Sequence, residues 1–231
     1  MTEFDLFKRI CIFLPLLCLV LWGGEFAFAG SEETILVNAE IPPNSPKVSV
    51  IILKFTDGNP DNNPWTNSST ENAMDFGTLT YLLADRSNAG LFYSPNGFCV
   101  VIFSESFGKP YEIWSSCLGI SDGVNFLPAG SFGLTPVYSE KDKFVWPGGE
   151  KEQGGMPAGA TLGEAGPAVH PLKLIYSSES GEATARIIQA YYGLPPYKAG
   201  GAVPFPGFTP IPLSQPPGQY SGTVKITIAL K

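Results

Sequence analysis

The side chains able to do chemistry are few and scattered. A serine–histidine–acid triad would have to use His170, the only histidine, which precedes Pro171 in a loop-like stretch. The sequence holds no Gly-x-Ser-x-Gly elbow, no His-Glu-x-x-His pair and no glycine-rich phosphate loop leading into a helix. Asp75, Glu105 and Glu112 are the acids that would have to converge for two-carboxylate glycoside hydrolysis, although acids on a β surface are ordinarily just solvated. Asp57, Asn59, Asp61 and Asn63 follow the alternate spacing with which loops wrap calcium. That match then fails, because Ser68 stands where the bidentate glutamate belongs and Asn62 replaces the turn glycine, leaving an Asx-rich turn. Zinc lacks a ligand set. The expectation is therefore no catalytic residue, no metal and no cofactor. Trp65, Trp114 and Trp146 offer faces for stacking on sugar rings, with core packing as the alternative, towards which Trp114 leans. Asn67-Ser68-Ser69 is a glycosylation sequon for a host that glycosylates.

The elements that would position these residues begin after an export signal. Lys8 and Arg9 precede an apolar run from Ile10 to Trp22, and Ala27-Phe28-Ala29 supplies the small-residue pattern before Gly30. Cleavage between Ala29 and Gly30 is expected. The run falls short of the roughly 20 residues of a bilayer-spanning helix and contains Pro15, so no membrane span is expected in the mature chain. Residues 30–231 read as a single domain in the extracellular space, at the cell surface or in the periplasm. The chain carries a net charge of −7, with no basic stripe for phosphates and no polybasic cluster for anionic lipid, which argues against nucleic acid as a partner. Of the four cysteines, Cys11 and Cys18 lie in the signal. Cys99 and Cys117 remain as an even pair in an oxidising compartment, and a bridge between them is expected to close a loop of about 18 residues, worth about 3 kcal/mol.

Periodicity along the mature chain is two rather than 3.6. Strands are expected at Val48–Phe55, Met74–Leu82, Phe98–Ser104, Tyr111–Cys117 and Leu172–Ser177. Ala183–Tyr192 reads as a strand in preference to a helix because of its threonine, isoleucines and tyrosines. Ile35, Val37 and Ala39 alternate in a segment stopped by Pro42-Pro43, and 118–171 is a glycine- and proline-rich, loop-rich insertion. Tyr220–Lys231 is the clearest strand: Val224, Ile226, Ile228 and Leu230 face one way, and Thr223, Lys225, Thr227 and Ala229 the other. Short strands punctuated by turns, without alternating helices, indicate an all-β antiparallel sandwich.

The end of the chain, Pro216-Pro217-Gly218-Gln219-Tyr220-Ser221-Gly222 leading into Thr223-Val224-Lys225-Ile226-Thr227-Ile228, is similar to the closing strand of bacterial fimbrial and spore-coat-type surface proteins. Met74-Asp75-Phe76-Gly77-Thr78-Leu79 resembles an earlier strand of that family, Lys109–Ile113 its mid-domain strand and Ser180–Tyr192 its penultimate one. The resemblance implies an immunoglobulin-like sandwich that forms a cell-surface filament, fimbria or coat and is not an enzyme. Its partners would be further copies of itself or other surface subunits. It also allows assembly by lending a strand, with the segment 30–43 (Ile35, Val37, Ala39) exchangeable and Val224, Ile226 and Ile228 at the other end of the chain; the alternative is that the 30–43 strand pairs within its own sandwich. The alternative function is a monomeric extracellular module that binds carbohydrate or the cell envelope.

Overall fold

The computed structural model describes residues 45–56, 69–82, 91–138, 155–181, 184–194, 197–198, 201–202 and 207–231. The strands, in chain order, are β1 (Lys47–Thr56), β2 (Ser69–Glu71), β3 (Thr80–Leu82), β4 (Leu91–Tyr93), β5 (Asn96–Glu105), β6 (Tyr111–Cys117) and β7 (Gly133–Tyr138). They continue as β8 (Thr161–Leu162), β9 (Gly166–Pro167), β10 (His170–Ser178), β11 (Thr184–Gly193), β12 (Tyr197–Lys198), β13 (Gly201–Ala202), β14 (Ile211–Pro212) and β15 (Lys225–Leu230). A single 3₁₀ turn at Ala129–Ser131 is the only helical element among the described residues.

All pairings between the strands are antiparallel. One sheet runs in the order β2-β1-β5-β11-β7-β9 and a second in the order β15-β6-β10-β8. Burial on β6 alternates strictly: Tyr111, Ile113, Ser115 and Cys117 are buried, and Glu112, Trp114 and Ser116 are half-buried. That period of two is what sends alternate side chains to opposite faces of a pleated sheet. The inward residues of β6 and β10 meet Phe98, Val100, Ile102, Leu134, Ile188, Ala190 and Tyr192 from the facing sheet in one apolar core, which makes the protein a β-sandwich. Inside it, the Tyr138 and Tyr176 rings stack at 5.6 Å, and the buried hydroxyls of Tyr192 and Ser115 satisfy one another at 3.2 Å. A smaller three-stranded sheet, β14-β4-β3, contributes the buried Leu91 and Ile211.

The larger sheet is buried on both faces. Leu53, Phe55, Cys99, Val101, Val137 and Tyr191 form a second apolar cluster, separate from the core between the sheets. This arrangement corrects the expected disulfide. Cys99 and Cys117 are free thiols, because Cys99 has the opposite parity to Phe98 and Val100 and points into the outer cluster, whereas Cys117 belongs to the inter-sheet core. A sheet layer separates the two, so their Cβ atoms do not face each other as a bridge requires.

Other expectations shift by less. β11 is a strand, not a helix, and β1, β5, β6 and β10 cover the expected segments, with His170 opening β10 instead of sitting in a loop. Of Met74–Leu82 only the last three residues pair as β3, and residues 74–79 form no ladder. The final strand begins at Lys225. The glycine- and proline-rich stretch 118–171 is less irregular than its composition suggests, since it supplies the fully buried β7. Pro136 is tolerated in β7 because β9 covers only Gly133 and Leu134, so among the described residues no neighbour requires an N–H from residue 136 on that side. The signal segment, the Ile35–Ala39 strand, the Asx-rich turn from Asp57, Trp65 and Trp146 lie outside the described residues.

Candidate functional site

The two long sides of the sandwich are built differently. On one, β8 pairs with β10 in the smaller sheet and, a few residues later, β9 pairs with β7 in the larger one, so the chain itself crosses from sheet to sheet. The crossing is pinned by Gly163 N donating to Ile175 O at 2.9 Å and Ala168 N donating to Phe132 O at 2.7 Å. A Cβ at Gly163 would stand 1.8 Å from Leu174 O, so only glycine permits that approach.

The opposite side is flanked by β1 and β15. β2 pairs only with Ile52–Lys54, and neither the outer edge of β1 from Lys47 to Ile51 nor the outer edge of β15 has a ladder partner among the described residues. The core side chains here, Val48, Ile52, Val224, Ile226 and Ile228, are only partly buried, and Val50 is 42% exposed. Core residues on the interior strands are fully enclosed by comparison.

Beyond Ile52 and Val224 this side opens into a cavity of about 1220 Å³. Its walls are two irregular segments, residues 72–79 and 215–224, and its floor is apolar, with Phe92, Cys117, Ile120, Leu127, Phe132, Leu194 and Ile211. Along 72–79 the backbone hydrogen bonds among the described residues are local or to side chains: Gly77 N donates to Asp75 Oδ1 at 2.9 Å, and Phe76 O accepts from Ser94 Oγ at 2.8 Å and from Asn96 Nδ2 at 3.5 Å. Phe76 is anchored edge-on against Phe98 and Phe132. The other wall is fixed by the reciprocal Ser121–Ser221 backbone pair and by Gly222, where a Cβ would stand 2.4 Å from Gly119 O. The lining carries one charged side chain, Asp75, and no cation. A space larger than the roughly 300–1,000 Å³ of ordinary small-molecule sites, bordered by backbone without ladder partners among the described residues, is suited to an extended peptide.

The remaining candidates do not assemble a catalytic centre. Asp75 is held beside the start of β5 through Phe76 and Asn96, whereas Glu105 and Glu112 flank the β5–β6 turn at the far end of that ten-residue strand, so the three acids do not converge. Trp114 is not a core residue. It lies half-buried on the outer face of β6, where Nε1 donates to Glu112 Oε2 at 3.1 Å. His170 is exposed, and its Nδ1 accepts from Leu172 N at 3.1 Å. Among the described residues no three His, Cys, Asp or Glu side chains are grouped to hold a metal, and no helix is long and apolar enough to cross a membrane.

Electrostatics reinforce this picture of a structural interior. Burial pushes the Cys99 thiol up to about 12, against the smaller opposing effect of a hydrogen bond with Tyr191, and raises Cys117 as well. Such thiols stay protonated and unreactive at neutral pH. Asp122 is held down at about 2, chiefly by the Asn125 side chain and then by the Asn125 and Val124 N–H groups, which together fix the hairpin beneath the cavity wall. Lysine 173 is lowered by desolvation, which nearby Glu164 partly offsets. The cavity was not foreseeable from residue types, since its walls read as strand and as loop; the one available signal was the terminal Gly-x-Tyr turn leading into the last strand. The chain matches no protein-family model, no curated protein and no solved structure.

Proposed function

We propose that this protein is an exported structural subunit of a cell-surface filament, fimbria or coat, assembled when the N-terminal strand of one copy docks into the open side of the next. The observation that carries this reading is the cavity between residues 72–79 and 215–224, whose walls, apart from the Ser121–Ser221 bridge, join no sheet among the described residues and frame an apolar floor. Glu33–Glu40 equals the 72–79 wall in length, and its Ile35, Val37 and Ala39 alternate as a strand filling apolar pockets must. Pro42-Pro43 uncouples it from β1. Contacts of this kind run head to tail and do not close, so they propagate into a filament.

The test is deletion of Gly30–Ile41. Truncated protein should fold and bind a peptide of residues 33–40 yet fail to polymerise, and truncated protein that still forms the same filaments would refute strand donation. A second reading, a monomeric carbohydrate-binding module, is favoured by the half-buried Trp114 on the outer face of β6. It requires quenching of Trp114 fluorescence on titration with oligosaccharides.

A further inference from the structure

We propose that β15 is a second, separate assembly edge, through which two copies pair antiparallel about a two-fold axis at Thr227, joining their smaller sheets into one continuous sheet. The edge is regular: Lys225–Leu230 contains no proline and no bulge, and of the devices that blunt an exposed strand it carries one, the lysine at its first position. Its backbone polarity follows from one bond. Lys231 N donates to Pro110 O at 3.0 Å, so by alternation residues 225, 227 and 229 turn their N–H and C=O groups towards β6. Residues 226, 228 and 230 therefore direct theirs outwards, and no partner meets them among the described residues.

That parity makes the strand self-complementary. With the axis at Thr227, Ile226 of one copy opposes Ile228 of the other as a hydrogen-bonded pair, and Val224 opposes Leu230. Both pairs lie on the core side, where these residues are only partly buried or, for Leu230, 36% exposed. On the outer side Lys225 opposes Ala229, and the two Thr227 side chains face each other as a non-hydrogen-bonded pair, the close type of antiparallel pair. Shifting the axis to Ile228 would place Lys225 opposite Lys231, a like-charge contact, while Lys231 is already engaged with Glu179. The interface belongs to the small class, below about 1,200 Å² in total, so the dimer is weak and reversible. It touches the cavity wall only at Val224, and in a filament or coat it would join strands side by side.

Cysteine crosslinking in the full chain with Cys11 and Cys18 replaced by serine tests the register directly. Thr227 is exposed, so Thr227→Cys keeps the fold, and mild oxidation should convert it to a covalent dimer. Lys225→Cys and Ala229→Cys, each opposite the other's position, should crosslink at least about fivefold more slowly, like the unsubstituted protein, whose Cys99 and Cys117 are buried. Sedimentation velocity should show concentration-dependent dimers that Thr227→Asp weakens. Equal crosslinking at all three positions, or a monomer at every concentration with Thr227→Cys uncrosslinked, overturns the proposal. Both readouts persist in protein lacking Gly30–Ile41, so their failure is separate from a failure of strand donation.

Discussion

The side of the sandwich closed by β8 and β9 and the side bounded by β1 and β15 belong to the same two sheets, yet they end those sheets in opposite ways. On the closed side the edges are two-residue strands, Pro136, Pro167 and Pro171 lie at or near them, and β10 carries register shifts between His170 and Lys173 and between Leu174 and Tyr176. Proline and bulges deny a foreign strand its ladder. On the open side the edge strands are long and unbulged, and their core-facing side chains are half-exposed. The core itself is half-exposed on the open side, through Val48, Ile52, Val224, Ile226 and Ile228, whereas the exposed apolar side chains elsewhere, such as Leu118, Val124 and Leu172, lie outside the core.

The comparison can be broken first by truncating equivalent core residues. Tyr176, fully buried against Tyr138 near the closed side, should lose about 3–5 kcal/mol of stability on replacement by alanine. Ile226→Ala at the half-exposed open side should cost only about 1–2 kcal/mol. Denaturant titration measures both, and equal losses would mean that the two sides are enclosed alike. Next in size, Gly163→Ala should destabilise by about 1–3 kcal/mol, because the crossing strand must move away from Leu174 O.

How much of this was legible in the sequence divides along the same line. Strands with two-residue alternation or β-branched runs, such as β1, β6 and β15, could be read because local pattern and burial agree. The Cys99–Cys117 bridge misled because pairing by count ignores parity: Cys99 sits one residue out of phase with the inward-facing Phe98 and Val100. Residues 74–79 misled because strand propensity does not supply a neighbour to pair with. β7 was hidden because Gly133 and Pro136 look like loop, and only the short span of β9, which pairs with Gly133 and Leu134, shows why the proline is tolerated.

A smaller effect sharpens the account of the doubly buried sheet. The Cys99 thiol has an ordinary value of 9.0 and is raised to about 12 in the folded protein. The folded state therefore holds its proton more tightly than the unfolded state. The associated stability is fully present below pH 9 and is lost as the pH rises towards 12, with a slope of about 1.4 kcal/mol per pH unit for this group. Cys117 and Tyr192, both raised by burial, act in the same direction. Denaturation midpoints between pH 8 and 11 should fall accordingly, and Cys99→Ala should make the fall shallower.

The central claim, that the open side receives a strand, is tested most directly by hydrogen exchange on truncated protein lacking Gly30–Ile41, with and without a peptide of residues 33–40. Binding should slow exchange of the backbone amides at 72–79 and 222–224, which have no ladder partner among the described residues, and leave those of β8 and β9 unchanged. Unaltered exchange at 72–79 with saturating peptide, or protection confined to the β8–β9 side, would contradict it.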